Sequence, residues 1–143
     1  MPKIILVGVD GSESSRKAAT VAAELAASTG ATLHVLTAVD PRSVSGQTEP
    51  GSPGDIRAVT PGEAAEAIAA EIAGTLSGVT PHVESSPIQG KPADALVEEA
   101  KRLGADLIVV GNRRVQGIGR ILGSVATDVA HHAPCDVYIV KTV

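Results

Sequence analysis

The sequence predicts an open α/β fold, a parallel sheet with helices on both faces. Three observations carry this. Short apolar runs alternate with helical repeats along the whole chain. Two of those runs, KIILVGV and DLIVV, are apolar throughout, as in strands buried on both faces. Finally, the order βαβ, loop, αβαβαβ is the pattern of parallel strands joined by right-handed helical crossovers.

The first strand is expected over Lys3–Val9 and ends at Asp10-Gly11-Ser12. Ser12 or Ser14 then caps a helix with Ala18, Val21, Ala22, Leu25 and Ala26 on its buried stripe, and Gly30 stops it. Ala31–Val39 is the second strand. From Asp40 to about Thr60 the chain carries Pro41, Pro50, Pro53, Gly46, Gly51 and Gly54 and almost no large apolar residue, which predicts a mobile surface loop. Pro61 opens the next helix, with Ala65, Ile68, Ala69, Ile72 and Leu76 inward.

Val79–Pro87 is a weaker strand, more polar and interrupted by Pro81, and is expected at a sheet edge. Pro92 begins a helix that buries Leu96, Val97, Ala100 and Leu103, and Asp106–Val110 is the fourth strand. After a Gly- and Arg-containing segment, Ser124 is expected to cap a helix burying Val125, Val129 and Ala130. Asp136–Val140 is the last strand. The 143 residues form one domain, 1–143, with no internal repeat.

Composition narrows the function. With no Phe, no Trp and a single Tyr, the core is built from Ala, Val, Ile and Leu, and there is no aromatic platform for stacking bases. A formal charge of −4 supplies no basic field for nucleic acid. No apolar run approaches the roughly 20 residues of a membrane span, and the N-terminus lacks a signal layout. A cytoplasmic protein is expected. The lone Cys135 excludes an internal disulfide and reads as a small buried residue entering a strand.

Candidate chemistry gathers at two strand ends. In open α/β sheets, ligands bind outside the carboxyl ends of strands where the strand order reverses. The fourth strand leads through Gly111, Arg113, Arg114, Gly117, Gly119 and Arg120 to Gly123-Ser124 at a helix start, where free N–H groups and the helix dipole favour phosphate. Two readings fit those residues, a phosphate site or a glycine-rich connection with solvated arginines. Asp10 faces the same crevice. It serves either ribose hydroxyls or a cation, or else it is a turn aspartate bonded to its own backbone.

The Val9-Asp10-Gly11-Ser12 strand end, the His34-Val35 second strand and the Gly111…Gly123-Ser124 segment resemble the universal stress protein family over essentially the whole chain. The resemblance implies a Rossmann-like, adenine nucleotide alpha hydrolase-like sheet of five parallel strands in the order 3-2-1-4-5. It also implies a pocket for an adenine nucleotide (ATP, AMP or cyclic AMP), with Mg accompanying ATP. Carried over by position, Asp10 matches the ribose contact, and Val9 and Ala38 flank the adenine. Val110 and Gly111 line the pocket, and Gly123, Ser124 and Val125 form the phosphate turn.

ATP-binding members carry Gly, two residues, Gly, nine residues, then Gly followed by Ser or Thr. Here Arg114 stands at the second Gly and eight residues separate it from Gly123. Arg114 restricts the backbone while adding a guanidinium able to bridge phosphate oxygens, and Gly117 restores flexibility. The family also implies a homodimer through the last strand.

Other motifs fail. The glycine spacing misses the dinucleotide fingerprint, no P-loop is present, and Ser14-Ser15-Arg16-Lys17 lacks the partners of a Ser-x-x-Lys acylase. His131 and His132 are adjacent and cannot chelate from one helix face, so no metal cluster is expected. No nucleophile–base–acid set can be assembled. The readings that remain are a nucleotide-binding stress-response regulator, a dimeric interaction module without nucleotide, and a weak ATPase or self-phosphorylating protein.

Overall fold

The computed structural model describes residues 2–39, 60–112 and 123–142. Five parallel strands, β1 (Ile4–Gly8), β2 (Thr32–Val39), β3 (Val83–Gln89), β4 (Leu107–Gly111) and β5 (Asp136–Val140), lie in the order β3-β2-β1-β4-β5. Between them run α1 (Glu13–Thr29), α2 (Pro61–Leu76), α3 (Pro92–Leu103) and α4 (Ser124–His132).

The period-2 alternation of the strands sorts the core into two layers. Ile5 and Val7 of β1, Leu33 and Val35 of β2 and Val109 of β4 meet Ala18 and Ala22 of α1 and Ala69 and Ile72 of α2. Leu6, Leu36 and Ile108 meet Leu96 and Ala100 of α3 and Ala126 and Val129 of α4 on the other face. In α1, the alanines at 18, 19, 22, 23 and 26 are fully buried. Side chains that short let the helix lie close on the sheet, while Val21 and Leu25 pack only partly buried at its margin.

Caps set most boundaries. Ser12 in extended conformation accepts the Ser15 N–H and starts α1, and Gly30 ends it at φ +76°. Thr60 and Glu63 form a reciprocal capping box in front of Pro61. Of the segment expected to be a mobile loop, 40–59 lies outside the described residues.

Three local expectations are corrected. β3 begins at Val83, not Val79, because the Val79 and Thr80 N–H groups donate back to the Leu76 carbonyl and complete the end of α2. Pro87 then falls inside β3, where it is tolerated because β3, among the described strands, pairs only with β2. Helix α4 is capped by Gly123, whose carbonyl accepts the Thr127 N–H, and Ser124 is the first helical residue, with no side-chain cap. Finally, the buried face of α4 runs through Ala126 and Val129, and the roughly 100° step to the next residue turns Ala130 to solvent.

The start of β1 is tied to β4 by Asp106, whose carboxylate accepts the Lys3 N–H at 2.8 Å and the Ile4 N–H at 3.0 Å. These two bonds hold its carboxyl below the ordinary range. On α3, the Arg102 guanidinium, 3.0 Å from Glu99 at Nε, does the same for Glu99. Both carboxylates bind protons more weakly folded than unfolded. Their stabilisation is therefore complete above the ordinary carboxylate range, roughly pH 4, and is lost as pH falls through the lowered folded values. Urea titrations from pH 7 down to pH 2.5 should show falling stability below about pH 4. The decline should be shallower in Asp106→Asn, which starts from a lower plateau; an unchanged slope would remove Asp106 from the acid response.

Cys135 is half-buried just before β5, and burial, followed by the nearby Asp136 and Asp106 charges, pushes its thiol up. That disfavours the reactive thiolate. Among the described residues, no group of three His, Cys, Asp or Glu side chains is placed to hold a metal ion. No helix among them is long and apolar enough to cross a membrane.

Candidate functional site

β1 is the central strand, and the sheet is built outward from it in both directions, so the order reverses between β1 and β4. At the carboxyl ends of these strands a cavity of about 150 Å³ opens. A closed apolar cavity of that size holds one aromatic ring. Its inner wall is apolar: Val9 and Gly8 from β1, Leu36 and Ala38 from β2, Val110 from β4, Leu96 from α3 and Val125 from α4. Its polar lining comes from Asp10, Ser12, Ser14 and Ser15 where β1 passes into α1, with Ser14 buried.

The close approach of strand and helix depends on glycine. A Cβ on Gly8 would sit 2.7 Å from a Leu96 methyl, and one on Gly111 would sit 3.2 Å from the Ser14 hydroxyl oxygen. Gly11 turns the chain out of β1 at φ +87°, a conformation strained for any L side chain.

The rim is organised by backbone bonds. The Asp10 carboxylate accepts the Ser12 N–H at 2.9 Å, so the turn-aspartate reading describes what the side chain does locally. That bond also orients the carboxylate at the cavity mouth. Ser15 donates to the Ser12 carbonyl at 2.9 Å and accepts the Asp10 N–H at 3.3 Å, which locks the turn.

At the far side, Asn112 continues from β4, donating its N–H to the Val140 carbonyl. Its side-chain oxygen accepts both the N–H and the hydroxyl of Thr142, at 2.8 and 3.1 Å. Thr142 in turn bonds the Ser14 hydroxyl.

Of the residues singled out from sequence, Val9, Asp10, Ala38, Val110, Gly111 and Val125 converge on this cavity. Gly123 and Ser124 form the start of α4 and are not part of its lining. Arg113, Arg114 and Gly117 lie outside the described residues. Sequence reasoning missed Leu36, Leu96 and Ser14 as cavity residues. Leu36 could have been found from its period-2 offset to Ala38. Ser14 and Leu96 read as a helix start and a core position, and only the packing brings them here.

Comparison with known proteins agrees with this architecture. The family model described as Universal stress protein family matches residues 1–141. A universal stress protein of Thermus aquaticus is 38% identical over 143 residues, covering 99% of this chain and 100% of its own. One of Mycobacterium tuberculosis H37Rv is 36% identical over 142 residues, covering 98% and 97%. Among solved structures, a universal stress protein in complex with cAMP superposes with a TM-score of 0.79 at 36% identity over 99% of each chain. Conserved topology, a whole-length family match and full-length relatives above 30% identity lead to one conclusion: this chain belongs to the universal stress protein family.

Proposed function

We propose that this protein binds an adenine nucleotide (ATP, AMP or cyclic AMP) in the β1–β4 crevice and acts as a stress-response regulator. The observation that carries the reading is the cavity itself. It is an apolar slot wide enough for one ring at the switch point of the sheet, with an oriented carboxylate at its mouth. One of the two fused rings of the base enters the slot between Val9, Ala38 and Val110, the other lies toward its open mouth, and Asp10 accepts from the ribose. Support comes from the cyclic AMP complex of a relative 36% identical to this chain.

The phosphates extend toward Gly111, Gly123, Ser124 and Val125, where the amino end of α4 favours an anion. From the sequence, Arg113, Arg114 and Gly117 are further candidates for phosphate contact in the segment between Asn112 and Gly123. Arg114, standing where ATP-binding relatives have glycine, favours a monophosphate or cyclic nucleotide over a triphosphate. If ATP is the ligand, Asp10 is the one carboxylate among the cavity's described lining, so a Mg ion would be held chiefly by phosphate oxygens.

The active species is a cytoplasmic homodimer paired through β5. Among the described strands, β5 hydrogen-bonds only β4, on its inner side; it leaves Tyr138 46% exposed and carries half-buried Val137 and Ile139.

Denaturing the purified protein and identifying released nucleotide by mass spectrometry tests the reading directly. ATP, AMP and cyclic AMP are then titrated calorimetrically into protein freed of ligand. Micromolar binding with a one-to-one stoichiometry is the expected result. No nucleotide released and no heat at millimolar ligand would leave the second reading, a dimeric interaction module whose phosphate side is blocked by Arg114 and the shortened segment. Weak ATP hydrolysis or self-phosphorylation would require turnover that Asp10→Ala removes.

A further inference from the structure

The chain of bonds from Asn112 through Thr142 to Ser14 has a direction. The atom of Asn112 facing Thr142 lies 2.8 Å from the Thr142 backbone N–H, an obligate donor, so it must be the carbonyl oxygen and not the amide nitrogen. A carbonyl oxygen only accepts. The Thr142 hydroxyl, 3.1 Å from the same oxygen, therefore spends its single proton there. The remaining bond, between Thr142 and Ser14, is then donated by Ser14.

Both hydroxyls are buried, Ser14 at 9% and Thr142 at 7% exposure, so water does not compete freely for those protons. Ser14 lines the cavity beside Gly111 and, among the described residues, its hydroxyl has no hydrogen-bond partner besides Thr142. What it has left to offer a ligand is lone pairs. Ser15 differs, since it both donates and accepts within the turn.

We infer that Ser14 is a specificity-determining residue, a hydroxyl locked by Thr142 and Asn112 as a pure acceptor that selects a hydrogen-bond donor of the bound nucleoside. The donor is a ribose hydroxyl or the exocyclic amine of the base; a phosphate oxygen, itself an acceptor, gains nothing from the Ser14 lone pairs and passes Gly111 on the side of Gly123 and Ser124. The inference rests on the adenine-nucleotide reading and deepens it. Asn112 and Thr142 act as positioning residues through Ser14. A site built to accept from a donor group rejects the analogue that lacks it, because its own lone pairs are left unpaired.

The test titrates AMP, 2′-deoxy-AMP, 3′-deoxy-AMP and inosine monophosphate into wild type, Ser14→Ala, Thr142→Val and Thr142→Ser, with melting curves for each variant. Wild type should prefer AMP about tenfold over one of the three analogues, as one hydrogen bond is worth. Because Asp10 also accepts from the ribose, the analogue whose deficit disappears in Ser14→Ala identifies the donor, a deoxy compound for the ribose and inosine monophosphate for the amine; a deficit that persists in Ser14→Ala belongs to Asp10. Ser14→Ala should bring AMP down to the level of that analogue and leave the analogue unchanged.

Thr142→Val frees the Ser14 proton to rotate toward the ligand and should erode the preference, and Thr142→Ser should restore it. Wild type binding all four compounds equally overturns the inference and leaves the nucleotide reading standing; the same holds if Ser14→Ala keeps the preference. That arm needs no variant, so a misfolded mutant cannot shelter the idea. Wild type binding none of them, nor ATP or cyclic AMP, defeats the nucleotide reading and this assignment with it.

Discussion

Asp10→Ala should weaken adenine-nucleotide binding by about 10- to 100-fold, because a charge-assisted hydrogen bond contributes roughly 1.5–3 kcal/mol. Alanine also deletes the acceptor for the Ser12 N–H, so part of the loss would come from a loosened turn. Asp10→Asn separates the two contributions. Its side-chain oxygen can still accept the Ser12 N–H, keeping the turn, while the charge is gone. Binding retained in Asn and lost in Ala would give Asp10 a role in shaping the turn. Loss in both, with unchanged melting temperatures, would place the carboxylate on the ligand. Full affinity in both would remove Asp10 from the site.

The second large effect lies in the core. Leu6→Ala should destabilise the fold by about 3 kcal/mol, lowering the melting temperature by on the order of 10 °C. Leu6 is fully buried on the central strand, in the layer between sheet, α3 and α4. That layer is assembled from aliphatic groups on fixed backbone elements, and none of its residues is aromatic. The cavity therefore collapses poorly, which is the condition for a large cost. Val79→Ala serves as the control, since Val79 is 43% exposed and its truncation should cost within about 0.5 kcal/mol. Chemical denaturation of the two variants checks both figures. Similar losses at both positions would contradict the two-layer description of the core.

Much of the fold was legible because its signals are local. KIILVGV and DLIVV announce strands buried on both faces, and β5 runs over Asp136–Val140 as read from the sequence. Ser12 and Gly30 act at helix ends through bonds to near neighbours, and Pro61 and Pro92 through a fixed φ and a missing N–H in the first turn. Where the reading slipped, a competing local bond decided. Val79 and Thr80 have strand-forming side chains, yet their N–H groups close the end of α2. Gly123 preceded the expected serine as the cap because its carbonyl, and not the serine hydroxyl, takes the first helical bond.

The sequence by itself determined the alternation of elements, the aliphatic core, and the strand ends where Val9, Asp10, Val110 and Gly111 stand, because hydrophobic period and turn chemistry are properties of short windows. The tertiary structure alone decided that Ser14, Asn112 and Thr142, up to 128 positions apart, meet in one hydrogen-bonded chain. It also decided that Leu96 closes the floor against Gly8. Those contacts depend on which helix crosses which strand end and how closely alanine lets it approach, and distances of that kind are written in the packing of the whole sheet.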